Sequence, residues 1–256
     1  MAIKTVILDF DGTLASSLEG IWSCMRETLA HYHFAEPTIE DVRCTVGLTL
    51  EESMHRLTQG RCEKPLTSEM VNFYRTLHTS KAAPLTHLFD GAIPTLAELR
   101  ARNIFTILVS NKGRAGLHQL VRQFEMSSYL DVILSADDVH FRKPDSRLYT
   151  EHIAPLHSHP TNSQSLVVGD TETDILFAKN VGLLSCWASY GYGDSLQCKA
   201  LSPDFTIQKL TDLPTMTRLF GLRWISITCT PERVKDCWLD VPRRWPEASK
   251  LSLSLL

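Results

Sequence analysis

Two aspartates, separated by a single phenylalanine, close an apolar run in the stretch VILDFDGTLASS at residues 6–17. Burying a charge is costly unless it is paired or holds a metal, so Asp9 and Asp11 at the end of a greasy strand need a chemical reason. Three further segments carry matching groups. Ser110, Asn111 and Lys112 follow FTILV, Lys143 and Pro144 stand in FRKPDSRLY, and Asp170 and Asp174 stand in GDTETD just after SLVV. The set combines several carboxylates, a lysine and the small hydroxyls of Thr13 and Ser110. An aspartate of ordinary pKa, about 3.9, is ionised at neutral pH. Two such charges at ~4 Å repel by roughly 4 kcal/mol at an effective dielectric of ~20. A divalent cation removes that cost, and Mg²⁺ takes hard oxygen ligands, usually carboxylates together with substrate phosphate. A lysine and a hydroxyl form a phosphate cradle. A carboxylate beside it can attack phosphorus and form an aspartyl-phosphate. One aspartate then attacks, and the next handles the proton of the leaving group.

These residues need elements to bring them together. Short β-branched runs recur at 5–8, 104–109, 131–134, 165–168 and 184–188. Unbroken apolar runs of this length suit strands buried on both faces, as in a parallel sheet. Helical spacing lies between them: Leu117, Leu120, Val121 and Phe124 follow i, i+3, i+4, i+7, and another helix starts near Gly91 with Pro94 in its first turn. Strand–helix alternation predicts an α/β, doubly wound, mostly parallel sheet with a Rossmann-like core. In such sheets ligands bind beyond the carboxyl ends of the strands, where all four segments fall.

Residues 15–84 break the alternation, with no strand pattern and four helical stripes. These are Leu18/Ile21/Met25/Leu29, a short helix opening at Thr38 with Asp41 in the capping-box position, Leu50/Met54/Leu57, and Met70/Phe73/Tyr74/Leu77. Pro65 and Pro84 are expected between helices. The segment reads as a small helical-bundle cap inserted after the first strand. The core is then 1–14 and 85–220, and 221–256 is a C-terminal tail of unknown role. That tail holds Trp224, Trp238, Trp245 and three prolines, and none of the chemistry-bearing set.

Composition sets outer limits. With 256 residues, 43% hydrophobic and 21% charged, the chain can form one large domain or a domain plus an insertion. A net charge of −3 gives no basic field to hold nucleic acid. No run of 18 apolar residues is present, so no membrane span is expected. Seven scattered cysteines without a CxxC pair indicate neither a zinc site nor a disulfide scaffold. They suit a reducing cytoplasm. Other polar residues have plainer readings. Asp138, Asp145 and Asp194 are expected in turns or helix caps. The histidines of EHIAPLHSHP fit no helix face, and those of HYH sit where a helix ends. No Gly-rich nucleotide-binding pattern is present.

The four segments together resemble the haloacid dehalogenase superfamily, in its Mg²⁺-dependent phosphohydrolase branch, and most of all phosphoglycolate phosphatase-type members with a helical cap. DFDGT, VSNK, KPDSRLY and GDTETD match the four motifs in order, and LFDGAIPTLAELR resembles the re-entry into the core, so the likeness spans about residues 4–220. The resemblance implies Asp9 as nucleophile and metal ligand. It implies Asp11 as general acid and then base, with its backbone carbonyl on Mg²⁺. Thr13 would fix the first loop, and Ser110 with the Asn111 backbone would bind phosphate oxygens. Lys143 would bridge phosphate and Asp9. Asp170 would ligate Mg²⁺ directly, and Asp174 through water or by orienting Lys143. The loop at Gly47 would face the site, where the cap reads the leaving group, with Arg43, Glu51 and Glu52 the nearest charged residues. A small phosphorylated metabolite is the implied partner, with the chain a monomer or homodimer. Ser16-Ser17 stands where many phosphoglycolate phosphatases carry Asp-Ser, and Ser110 where Thr is commoner, so the substrate stays open. A pyrophosphatase, a nucleotidase, a sugar phosphate mutase and a non-catalytic binding protein of this fold are the alternatives. A phosphonatase would need a cap lysine for a Schiff base, and Lys64 and Lys81 lie beside predicted helix ends.

Overall fold

The structure, a computed structural model, describes residues 2–156 and 162–218. Six parallel strands form the sheet: β1 (Thr5–Leu8), β4 (Phe105–Val109), β5 (Val132–Leu134), β6 (Ser165–Gly169), β7 (Leu184–Ala188) and β8 (Phe205–Ile207), in the order β5-β4-β1-β6-β7-β8. β1 and β6 are the central pair and are buried along their whole length. Period-2 alternation splits β1 between two cores. Val6 and Leu8 join Leu96 and Leu99 of α5 (Ala92–Ala101) and Leu117 and Leu120 of α6 (Arg114–Gln123) on one face. Ile7 joins Phe177 and Ala178 of α7 (Glu172–Asn180) and Ile153 on the other. Helices on both faces explain why the strands read as unbroken apolar runs rather than alternating ones.

Register fixes where the chemistry emerges. Leu8 stands level with Leu108 on one side and Val168 on the other. Asp9, Ser110 and Asp170 therefore leave the sheet at one edge, within a residue of the same height. Gly12 makes the turn after β1 possible. It takes φ +83°, and a Cβ there would lie 2.1 Å from Asp170 Oδ2. Only glycine allows that approach.

Four helices, α1 (Leu18–His31), α2 (Ile39–Arg43), α3 (Leu50–Leu57) and α4 (Lys64–Lys81), pack around their own core of Cys24, Met25, Leu29, Val42, Met54, Met70 and Tyr74. The expected capping box at Thr38 and Asp41 is present, and Thr49 with Glu52 makes a second at the start of α3. Two expectations need correction. Pro65 lies inside the first turn of α4 rather than between helices, where its missing N–H would be unbonded anyway. The stretch after residue 14 is also not purely helical. β2 (Ala15–Ser16) pairs antiparallel with β3 (His87–Leu88), clipping the exit from the sheet to the return. Two-residue strands carry no periodicity for a sequence to display. Pro84 lies, as expected, in a 3₁₀ turn after α4. Asp194 caps α8 (Ser195–Ala200), and Asp138 accepts from the Ser135 backbone N–H at 2.8 Å, both as read. His152 lies in a π-helical turn, Leu148–Ile153, while His157 and His159 fall outside the described residues. Residues 213–218 are helical after β8, and the tail from 219 onward lies outside the described residues. Among the described residues no helix is long and apolar enough to cross a membrane, and five cysteines are free thiols.

Candidate active site

Asp9, Asp170 and Asp174 are all buried, and a carboxylate oxygen from each lies within 4.8 Å of the others. One lysine is bonded to two of them. Lys143 Nζ donates to Asp9 Oδ1 at 2.6 Å and to Asp174 Oδ1 at 2.6 Å. Each carboxylate is aimed by further donors. Thr13 Oγ1 donates to Asp170 Oδ1 at 3.0 Å, and the Tyr192 backbone N–H to Asp170 Oδ2 at 2.7 Å. Asp174 Oδ2 accepts from the Thr171 backbone N–H at 3.1 Å and its hydroxyl at 2.8 Å. Asp9 Oδ2 accepts no hydrogen bond among the described residues.

Three negative charges against one positive leave this cluster two charges short. Burial is the largest effect on Asp9. With Asp174 and Asp11 it outweighs Lys143 and pushes the Asp9 carboxyl up to about 7. Burial, Asp174 and Asp9 likewise raise Asp170. Burial works against the Lys143 ammonium, yet Asp174 and Asp9 hold its pKa above the ordinary lysine value. A deficit of two charges among oxygen donors is what a divalent hard cation would fill, and the donor set fits Mg²⁺.

Asp11 faces the other way. Its Oδ1 accepts from the Ser17 hydroxyl at 2.5 Å, and Lys112 Nζ lies 3.0 Å and 3.2 Å from its two oxygens. Burial alone would raise this carboxyl, but Lys112 and Ser17 overcome it and hold Asp11 below the usual value. The Asp11 carboxylate is therefore outside the acidic cluster, and any role as a metal ligand falls to its backbone carbonyl. His78, from α4, is buried, with Nε2 unpartnered among the described residues. Burial and Lys112 push it down to about 3, against the pull of Asp11, so the imidazole is neutral.

Ser110 is buried, and its Oγ accepts from the Lys112 backbone N–H at 3.2 Å. Asn111 Nδ2 ties the loops together, donating to the Gly47 carbonyl at 2.9 Å and the Lys143 carbonyl at 3.1 Å. Gly47 faces the strand ends as expected. At φ +92° it packs on Thr171, where a Cβ would stand 2.7 Å from the hydroxyl. Asp9, Asp11, Ser110, Asn111, Lys143 and Gly47 all border one cavity of about 120 Å³ between the sheet edge and the helices. Its helical side is mixed, with Ile21, Met25 and Leu50 apolar and Glu51, Arg75 and His78 polar. Thr13, Asp170 and Asp174 stand behind it and do not line it.

Sequence reasoning missed several members. Lys112 follows Ser110-Asn111 but carried no assigned role, and Ser17 counted only as a departure. Tyr192 had no signal, yet it touches three parts of the site: its N–H holds Asp170, its phenol oxygen accepts from Ser17 and Leu18 N–H groups at 2.7 and 3.1 Å, and its carbonyl accepts from Arg43. Arg43 also pairs with Glu40, and Glu52 caps α3, so of the three charged candidates only Glu51 lines the cavity. Lys64 and Lys81 lie at the two ends of α4, with Lys81 paired to Glu27 at 2.6 Å.

Comparisons with known proteins agree with this geometry. A pyrophosphatase, PpaX, from Bacillus mycoides (strain KBAB4) is 27% identical over 222 residues, covering 86% of this chain and 100% of that protein. A solved structure of a haloacid dehalogenase-like hydrolase from Bacteroides fragilis superposes with a TM-score of 0.77 at 26% identity, over 82% of this chain and 99% of that one. A predicted phosphoglycolate phosphatase from Haemophilus somnus 129PT shares the fold at a TM-score of 0.76 and 18% identity, over 84% and 98% of the two chains. The family model described as haloacid dehalogenase-like hydrolase matches residues 6–188, which include every motif residue set out above, and the chain belongs to that family.

Proposed function

We propose that this hydrolase is a Mg²⁺-dependent phosphatase that cleaves a small phosphomonoester through an aspartyl-phosphate on Asp9. The observation that carries the reading is the division of labour between two aspartates two residues apart. Asp9 sits in a cation-deficient carboxylate cluster with one oxygen free of hydrogen bonds. Asp11 sits outside that cluster, toward the cavity.

In this reading Asp9 Oδ2 attacks phosphorus, and the bond from phosphorus to the leaving oxygen breaks. Asp11, held ionised by Lys112 and Ser17 in the free protein, takes up a proton along with the anionic substrate and gives it to that oxygen. It then takes one from the water that cleaves the acyl phosphate and releases it with the product phosphate, restoring both residues. Lys143 neutralises phosphate and Asp9 while staying charged, and Ser110 with the Asn111 backbone receives the phosphoryl oxygens. Asp9, Asp170, Asp174 and the Asp11 carbonyl would hold Mg²⁺, which supplies the missing positive charge when bound. Residues 1–14 and 85–220 act as the catalytic core and 15–84 as the cap. The enclosed cavity favours a small phosphorylated metabolite over nucleic acid, in a cytoplasmic monomer or homodimer. A phosphoglycolate-like ester and an inorganic pyrophosphate are the two substrate readings. The second is favoured by the likeness to a protein named as a pyrophosphatase.

The test is release of inorganic phosphate from p-nitrophenyl phosphate and a panel of phosphometabolites, with Mg²⁺ and with EDTA. Mg²⁺-dependent release is expected. No release from any compound, or full activity in EDTA, overturns the reading.

A further inference from the structure

Four permanently cationic side chains line the cavity, and three of them are held by carboxylates. Lys143 is bonded to Asp9 and Asp174, Lys112 to Asp11, and Arg75 of α4 to Asp137 at 2.9 Å through one terminal nitrogen, its buried Nε having no partner among the described residues. The fourth is Arg142. Its Nε donates to the Ala136 carbonyl at 3.2 Å, and its two terminal nitrogens have no partner among the described residues. That bond anchors the guanidinium at the carboxyl end of β5, immediately before the Lys143 that holds Asp9.

We propose that Arg142 is the specificity-determining residue that anchors a second anionic group on the substrate. The proposal rests on the phosphatase reading for the placement of the phosphoryl group, at Asp9 and Ser110 over β1 and β4. Ala136 lies at the end of the next strand, one strand spacing or about 4.8 Å further along the sheet. A compact substrate therefore reaches from the phosphoryl site to Arg142 across a bridge of one to three atoms. A guanidinium offers a planar fork that matches a carboxylate or a phosphate. The opposite helical wall carries one further cation, Arg75, with a terminal nitrogen held by Asp137. His78, neutral as described above, adds no positive charge. The class is thus a phosphoryl compound carrying a nearby carboxylate or second phosphoryl group.

Glu51 is the competing partner. It lines the same cavity from α3 and has no ion pair among the described residues. If Arg142 exists to hold Glu51, the second-anion preference would not depend on the arginine's fork facing a ligand.

The test is calorimetric binding to the full chain at fixed free Mg²⁺, with three probes. Ethylphosphonate has one anionic group, phosphonoacetate adds a carboxylate, and methylenebisphosphonate adds a second phosphonate. At least one two-anion probe should bind about tenfold more tightly than ethylphosphonate, as one charge-assisted contact predicts. The probe with the larger ratio identifies the second group. Arg142→Gln should bring the ratio to near one, Arg142→Lys should keep part of it, and Glu51→Gln should leave or raise it. A ratio near one in the native protein, one unchanged by Arg142→Gln, or one lowered as much by Glu51→Gln overturns the proposal. Retained p-nitrophenyl phosphate hydrolysis alongside that failure spares the phosphatase reading. An intact ratio without any hydrolysis overturns the phosphatase reading instead.

Discussion

On one side of the first loop three buried carboxylates cluster, and a single lysine is bonded to two of them. On the other, one carboxylate has a lysine and a hydroxyl to itself. Asp9 and Asp11 are two residues apart, a spacing that strand alternation would keep on one face, but β1 has ended at Leu8 and the turn at Gly12 sends them to different neighbourhoods. Their carboxyls move in opposite directions, Asp9 up and Asp11 down. The difference shows how one short motif supplies two chemistries. Asp9 lies where positive charge is lacking, and Asp11 where it is already present. The first region calls for an added cation, while the second is electrostatically complete without one.

The largest expected effect breaks the first region. Asp9→Asn keeps the shape and removes the nucleophile, so kcat should fall by about 10⁴-fold or more. Circular dichroism should show an intact fold, since the variant also relieves repulsion among Asp9, Asp170 and Asp174. Substantial residual turnover would remove Asp9 from the nucleophile's role. Changing the second region should cost less and depend on the substrate. Asp11→Asn should slow an alkyl phosphate by roughly 10²–10⁴-fold, and p-nitrophenyl phosphate by clearly less, because nitrophenolate departs without a proton. Equal losses on the two esters would deny Asp11 the acid role.

The same contrast governs what could be read from sequence. The cation-deficient cluster was legible, because its members sit in two strand-end motifs, Asp9 in DFDGT and Asp170 with Asp174 in GDTETD, and the parallel register brings those strand ends together. The completion of Asp11 was not. Lys112 meets Asp11 across 101 residues and Tyr192 meets Ser17 across 175, and such contacts leave no periodicity in the chain. Arg142 beside the conspicuous Lys143 was hidden for another reason. Its significance is that its terminal nitrogens have no partner among the described residues, and that appears only when neighbours in space are known. The β2–β3 clip was too short to show a pattern, and Pro65 read as a breaker because a first-turn proline and a loop proline look alike without the helix boundary.

A smaller effect measures the charge deficit itself. Asp9 rises from 3.8 to about 7 on folding. A carboxyl raised in the folded state takes up a proton on folding. Its contribution to stability is therefore whole below the unfolded value and is lost as pH rises through about 7. Bound Mg²⁺ requires the ionised form, so its stabilisation should run the opposite way with pH. Thermal unfolding with and without Mg²⁺ should show a Tm increment that is small at pH 5 and larger by several degrees at pH 8. An increment independent of pH, or none, would mean that the deficit at Asp9 is not what the cation fills.

The smallest expected effect concerns a segment outside both regions. The residues assigned a role run from Asp9 to Asp174, and the latest site contact in the chain among the described residues is made by Tyr192. β8, at the sheet's edge, ends at Ile207, and the family match ends at 188. Residues 221–256 hold three tryptophans and six Lys/Arg against four Asp/Glu, with no member of the catalytic set. Deleting 221–256 should leave kcat and KM for p-nitrophenyl phosphate within about twofold, since the partners of the carboxylate cluster and of the Asp11–Lys112 pair among the described residues all lie at or before residue 192. Tm and oligomeric state are free to change, because apolar side chains removed from a chain alter burial without touching the strand ends. Size-exclusion chromatography and circular dichroism on the truncated protein separate those effects from catalysis. A truncated chain that stays folded but loses most of its turnover would show that the site extends beyond the sheet edge described here, and the two-region account of the active site would then be incomplete.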